Sequence, residues 1–237
     1  MTAPKRPGRP PRQGREGQSA RPPRGAPPPR PEPGAGGPDA LLADPDLLSG
    51  RLFFAVPVPG HSREPLEAVL PELERALPAA RWTNPSGWHL TLAFLGHVRP
   101  EFSAEVVTVG EGAVAGLGPA QLRLDGAGGF PSQRRARVVW AGTSGGVELL
   151  RTLATRLAAA SKQAGLRFEE REYQPHLTLA RLPVPGPLPE QVLDLVTGAV
   201  AASPPWEARE LCCYRSTLTN RGARYQVVRT FPLTRTG

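Results

Sequence analysis

The chain has 237 residues, with 29 Lys and Arg against 21 Asp and Glu, for a net charge of +8. That length fits one large domain or two small ones, and no apolar run is long enough for a membrane-crossing helix. Residues 1–38 carry eight of the basic residues and two acids, so +6 belongs to one end and +2 to the rest. The high charge is therefore a property of a tail and does not by itself make the body an RNA-binding surface.

That tail comes first in the chain. Residues 1–40 contain no Val, Leu, Ile, Phe, Trp or Tyr, and runs such as Arg21-Pro22-Pro23-Arg24 fill the space. Such a segment cannot bury enough apolar surface to offset its ordering entropy. Residues 1–46 are expected to form a disordered, basic Pro/Gly/Arg-rich tail with local polyproline II character, and 47–237 the folded domain. The tail lacks the apolar core of a signal peptide. It either adds non-specific attraction to RNA phosphates or is a solvated extension.

The folded part opens with a buried strand, Leu52 to Val58. A helix follows with Leu66, Val69, Leu70, Leu73 and Leu77 at helical spacing, and Pro71 is expected to kink or split it. Ala80 to Trp82 reads as a short strand and Asn84-Pro85-Ser86-Gly87 as a turn. The turn delivers a strand from Trp88 to Leu95, closed by Gly96. Glu101 to Val114 is a weaker helix, spoiled by Gly110 and Gly112. A second round repeats the scheme: strands at Gln121–Leu124 and Arg137–Ala141 flank a Gly-rich basic loop, Gly126 to Ala136. Val147 to Ala164 is the clearest helix, with Gly165 placed to cap it. The strand at His176, a helix from Glu190 to Val200 and a hairpin turning at Thr219-Asn220-Arg221-Gly222 complete the chain. Two rounds of mixed strands and helices predict an α+β fold. It has two pseudo-symmetric lobes of antiparallel sheet, with helices outside and a cleft between them.

Both rounds contain the same pentapeptide, His89-Leu90-Thr91-Leu92-Ala93 and His176-Leu177-Thr178-Leu179-Ala180. In a strand the His and Thr of each copy project to one face and the leucines to the other. At about 3.3 Å per residue the imidazole and hydroxyl emerge roughly 6–7 Å apart, a span one phosphate group bridges. Two of the four histidines in the chain occupy this one position. A metal site asks for three or four ligands, and the motifs offer two imidazoles, so neither metal nor cofactor is expected. Two imidazoles suit paired acid and base catalysis near neutral pH, with the threonine hydroxyls donating to phosphate oxygens. Cys212 and Cys213, adjacent in a strand, point to opposite faces and are poorly placed to bridge each other. They are expected as core filler in a reduced, cytoplasmic protein.

From Arg51 onward the chain resembles the 2H phosphoesterases, named for paired His-x-Thr-x motifs. Among them it is similar to the RNA 2′,3′-cyclic phosphodiesterases, also called 2′-5′ RNA ligase-like proteins. Besides the motifs, the resemblance rests on Arg51-Leu52-Phe53-Phe54-Ala55-Val56, Gly129-Phe130-Pro131-Ser132, Arg137-Val138-Val139-Trp140 and Gly222-Ala223-Arg224-Tyr225. It implies a bilobed body acting on RNA with a 2′,3′-cyclic phosphate end to give a 2′-phosphomonoester. It also implies His89 as proton donor and His176 as proton acceptor, with Thr91, Thr178 and Arg181 binding phosphate. The residues alone do not say which histidine does which task. Simple alternation puts Arg181 on the face opposite His176, so its role requires a bulge or strand twist. Three other readings stand beside hydrolysis. One is 2′-5′ ligation, with a 5′-hydroxyl in place of water. Another is turnover of a smaller cyclic nucleotide, and the third is capture of RNA ends without turnover. A monomer is expected, with no membrane contact. Phe53, Phe54 and Tyr173 are candidates to stack a base, with core packing the competing role for the phenylalanines. Arg134, Arg135 and Arg137 are either RNA-backbone contacts or solvated charges.

Overall fold

The computed structural model describes residues 48–168, 172–219 and 222–235. The tail expected over residues 1–46 and the centre of the last expected turn, residues 220 and 221, lie outside them. In chain order the elements are β1 (Gly50–Pro57), α1 (Gly60–Ala76), β2 (Arg81–Trp82), β3 (His89–Val98), α2 (Ser103–Val114), β4 (Ala120–Phe130) and β5 (Ala136–Ser144). Then come α3 (Val147–Gln163), β6 (His176–Gly186), α4 (Glu190–Ala202), β7 (Trp206–Ala208), β8 (Glu210–Thr219) and β9 (Gly222–Pro232).

Every strand pair is antiparallel. The order across the sheet is β7-β4-β5-β6-β3-β1-β8-β9, with β2 beside β6. The sheet has two halves, each contributing a motif strand to the centre; the C-terminal β8–β9 hairpin returns to extend the first half beside β1, and β2 crosses to β6. Pairing is extensive within each half. Where β6 meets β3 it shrinks to one residue pair, Leu90 with Leu177. These are the second residues of the twin pentapeptides, so the near-symmetry of the sequence is also the near-symmetry of the sheet. The strands part on either side of this pair, which opens the cleft.

One face of the sheet carries the core. Phe54, Val56, Leu90, Val139 and Leu177 project from it onto helix residues that include Leu66, Leu73, Leu150, Leu153 and Leu157. Helix α1 packs beside α4 and α2 beside α3. The open face of the β1–β8 pair holds a second, smaller cluster of Phe53, Ala55, Cys212 and Tyr214. Cys212 and Cys213 are both free and buried, one in each cluster, as strand alternation requires.

Helix α3 buries Leu150, Leu153, Ala154 and Leu157 along one stripe. It ends where Gly165 takes φ +68°, the Gly165 amide donates to Lys162 O and the Leu166 amide to Ser161 O. That pair of bonds is the Schellman arrangement, and glycine adopts its left-handed position without a Cβ clash.

Three local expectations change. Helix α1 runs unbroken through Pro65 and Pro71. Pro71 lies on the exposed side, where the carbonyl it leaves unpartnered can face water, while Leu66 and Leu73 hold the buried stripe. Strand β3 continues past Gly96 to Val98, because the positive φ of Gly96 falls in a bulge opposite Leu52 and Phe53 and does not end the strand. The glycine run at 126–130 is strand and not loop. A Cβ on Gly128 would lie 2.3 Å from Trp140 Cζ2, so the missing side chain makes room for an indole on the neighbouring strand.

Gly110 has the same kind of reason. A Cβ there would lie 2.3–2.6 Å from three ring carbons of Phe231, which is buried against Phe54. Gly112, two residues on in α2, has no neighbour within 4 Å of such an atom. Gly112→Ala should therefore gain up to about 1 kcal/mol in helix propensity. For Gly110→Ala overpacking of about 1–3 kcal/mol outweighs that gain. Denaturant midpoints should move in opposite directions for the two variants.

Candidate active site

The single Leu90–Leu177 pair fixes how the motifs face each other. Antiparallel register around it sets His89 beside Thr178 and Thr91 beside His176. The histidines occupy one diagonal of a rectangle and the threonines the other. The two rings are close enough for His176 to act on the charge of His89.

Each ring is oriented in the same way. His89 Nδ1–H donates to Gly87 O at 2.6 Å, and His176 Nδ1–H donates to Gln174 O at 2.7 Å. A carbonyl only accepts, so the proton sits on Nδ1 and the lone pair of each neutral ring is on Nε2. Gly87 closes a short turn that Asn84 holds, its carboxamide oxygen accepting from the Ser86 amide at 3.0 Å and the Ser86 hydroxyl at 2.9 Å. The turn is also tied across the junction. Trp88 Nε1–H donates to Thr83 Oγ1 at 2.8 Å, and the Thr83 hydroxyl lies 3.0 and 2.9 Å from the carbonyls of Thr178 and Leu179. The residue before the first motif is thereby bonded, through Thr83, to the backbone of the second. Sequence patterning missed Thr83, since a threonine near a turn carries no signal of what it bonds 95 residues away.

The surroundings are aromatic. His89 lies 4.8 Å from the Phe53 ring and 5.3 Å from Tyr214, with Tyr225 edge-on at 5.0 Å. His176 has Phe130 edge-on at 4.9 Å, and Phe130 in turn lies against Trp140. Burial against these rings lowers the pKa of His89 to about 4; its hydrogen bond to Gly87 opposes the shift, and His176 adds to it. His176 is also lowered, first by burial, with the Gln174 carbonyl opposing and the Arg181 charge assisting. His89 is neutral at pH 7 in the free protein, and the same direction of shift favours the neutral form of His176.

The bulge that Arg181 requires is present. Across β5, Val139 pairs with Ala180 and Trp140 with Thr178, which leaves Leu179 as an extra residue. Across β1, Phe54 pairs with Ala93 and Ala55 with Thr91, which leaves Leu92 extra. Both bulges fall on the fourth residue of the pentapeptide. Alternation resumes out of phase beyond each, so Arg181 opposite Val138 shares the face of Thr178 opposite Trp140, and Phe94 opposite Phe53 shares that of Thr91. Arg181 is exposed, and its charge reaches His176. Phe53 and Phe54 are both buried and offer no face to a base, while Tyr173 is half-buried with part of its ring against the core. Arg134 and Arg135 stand in the exposed turn between β4 and β5. Among the described residues no three His, Cys, Asp or Glu side chains gather where they could hold a metal ion, and no helix is long and apolar enough to cross a membrane.

Two half-sheets joined at twinned His-x-Thr strands define a two-histidine phosphoesterase. The sequence profile of the 2′-5′ RNA ligase superfamily matches residues 79–220. An RNA 2′,3′-cyclic phosphodiesterase of Archaeoglobus fulgidus is 31% identical over 182 residues, covering 76% of this chain and 99% of that one. One from Geobacillus stearothermophilus is 28% identical over 187 residues, 79% of this chain; the match spans only 58% of that longer relative. Among solved structures, E. coli LigT complexed with 3′-AMP superposes with a TM-score of 0.59 at 28% identity, covering 78% of this chain and 99% of LigT. The chain belongs to the 2′-5′ RNA ligase superfamily and is, like that family, an enzyme.

Proposed function

We propose that the protein hydrolyses the 2′,3′-cyclic phosphate at an RNA end to a 2′-phosphomonoester, by acid–base catalysis between His89 and His176 without a metal. The observation that carries this reading is the pair of imidazoles on adjoining motif strands, each tied back through Nδ1 to a backbone carbonyl so that Nε2 keeps its lone pair, and near enough for one to act on the charge of the other. The names of the relatives and the nucleotide bound to LigT support the same substrate class. In the reaction His176 Nε2 takes a proton from water as the water oxygen attacks phosphorus. His89, protonated when the anionic substrate binds, gives its Nε2 proton to the departing 3′ oxygen as the P–O3′ bond breaks. The 2′ oxygen keeps the phosphate. Proton exchange with solvent then resets both rings. Thr91 and Thr178 donate to the non-bridging oxygens, and Arg181 holds the charge that builds on them. One chain carries all five residues, so no second copy is needed. Two buried thiols fit a reducing compartment, and we assign the activity to the cytoplasm.

The test is product analysis on a short RNA ending in a 2′,3′-cyclic phosphate, with EDTA present. A 2′-phosphate product is expected. Tight binding of the RNA with no conversion would replace the enzyme reading by an end-binding one, and loss of activity in EDTA would remove the metal-free mechanism. Arg181→Ala should lower kcat/KM by about 10- to 100-fold, the weight of one charge-assisted hydrogen bond, with Arg181→Lys in between. An unchanged kcat/KM in Arg181→Ala would remove the arginine from the phosphate site.

A further inference from the structure

The two motifs are alike but are entered differently. Trp88 stands before His89, where Pro175 stands before His176. Trp88 is buried and its backbone is held on both sides, the amide donating to Pro85 O at 3.0 Å and the carbonyl accepting from the Val58 amide at 3.2 Å. Its indole Nε1–H donates to Thr83 Oγ1 at 2.8 Å. Thr83 follows β2, which runs beside β6, and so reaches the bulge of the second motif. A bulge leaves its extra residue out of the ladder. Here that residue is Leu179, on the β5 side. On the other side its carbonyl accepts from the Thr83 amide at 2.8 Å and lies 2.9 Å from the Thr83 hydroxyl. The Thr178 carbonyl lies 3.0 Å from the same hydroxyl. A hydroxyl accepts and donates at once, so one oxygen links the indole before His89 to the backbone of Thr178 and Leu179. The link crosses the sheet at its narrowest join, where β3 and β6 share the single Leu90–Leu177 pair.

We propose that Thr83 is a positioning residue for the reaction, its hydroxyl fixing the first motif against the bulge of the second. This rests on the reading of His89, His176 and Thr178 as the reacting site. Between Thr83 and His89 lies the short turn in which Asn84 accepts from the Ser86 amide and Gly87 O accepts from His89 Nδ1–H at 2.6 Å. A shift of Thr83 relative to β6 therefore carries the imidazole with it. On the other strand, the two carbonyls beside the Thr83 hydroxyl belong to the proposed phosphate ligand and to the residue at which alternation changes phase. A displacement of about 1 Å away from the reacting atoms can cost about a hundredfold in rate. The two histidines must act together only in the transition state, so the loss falls on kcat more than on KM. Thr83→Val keeps the branched shape and removes the hydroxyl, leaving the indole N–H without its acceptor. Thr83→Ser keeps the hydroxyl.

Steady-state kinetics on a short RNA with a 2′,3′-cyclic phosphate end, beside NMR of the histidine rings, tests this on the full-length protein. Thr83→Val should lower kcat by about 10- to 100-fold and leave KM within about threefold of wild type. Thr83→Ser should recover most of that loss. The ring C–H signals of His89 should move in Thr83→Val and return in Thr83→Ser, while those of His61 and His97 stay in place in both. If Thr83→Val does not fold, Trp88→Phe reads the same link. It removes the indole donor and leaves the hydroxyl, and should lower kcat by about two- to tenfold. The positioning role is overturned if kcat of the informative variant stays at the wild-type value, if KM rises while kcat holds, if Thr83→Ser loses as much as Thr83→Val, or if the His89 signals do not move. Wild type without turnover would sink the phosphodiesterase, and the ring signals would then decide on Thr83 alone. Turnover by wild type with an unaffected Thr83→Val sinks only the positioning role.

Discussion

Replacing either His89 or His176 by alanine should lower kcat on a 2′,3′-cyclic phosphate end by about 10²- to 10⁴-fold. The double variant should be little worse than the more damaged single one, because donor and acceptor act in one step and such losses do not add. Affinity for the RNA end should survive, since Thr91, Thr178 and Arg181 remain. The two singles can be told apart by the leaving group. A 4-nitrophenyl phosphodiester expels a stable anion that needs no proton, so it should restore most of the rate to His89→Ala and little to His176→Ala. The opposite pattern would exchange donor and acceptor. Circular dichroism should accompany His89→Ala, whose ring packs against Phe53 and Tyr214. His89→Gln is the conservative partner if packing suffers.

The second large effect is on pH. Catalysis needs one imidazole charged and one neutral, yet burial holds both below their ordinary value of 6.5, His89 at about 4. The pH profile of kcat/KM reports the free enzyme. Above pH 6.5 the neutral form of each ring predominates, so the singly protonated form becomes scarcer as the pH rises. kcat/KM should therefore fall as the pH rises from 6.5 to 8 and peak on the acid side of 6.5. A plateau across pH 6.5–8 would contradict this. The kcat profile should sit higher, because a bound phosphate anion favours the imidazolium. The same burial has a stability consequence of definite sign. His89 takes up its proton near 6.5 when unfolded and near 4 when folded, so between these values the unfolded chain binds more protons. Its contribution is whole above pH 6.5 and is lost as pH falls toward 4, amounting to at most about 3 kcal/mol. The pH that charges the donor is also the pH that loosens the fold, and His89→Gln should lack that acid sensitivity.

What could be read from the sequence follows from how local its physics is. The common face of each motif's histidine and threonine was legible because alternation over His-Leu-Thr is complete before the bulge at the fourth residue. Helix α3 was legible because both its apolar stripe and its glycine cap lie within the helix and its end. The bulges were not, since an extra residue is defined only against a partner strand far away in sequence. Without them simple alternation puts Phe94 and Arg181 on the face opposite the one they occupy. Glycine misled twice in the same way. At Gly110 and Gly128 it signals weak helix and loop, while its purpose is clearance for Phe231 and Trp140.

The indole lodged over Gly128 gives the protein an optical reporter of its own site. Trp140 pairs with Thr178 across β5 and β6, so phosphate held there, as proposed for Thr178, would bring charge close to the indole. Trp82, Trp88 and Trp206 supply a background that Trp140→Phe leaves in place. The difference in emission between wild type and that variant should change on adding phosphate. An unlabelled protein could then be followed through binding and product release in a stopped-flow fluorimeter, with no modified RNA.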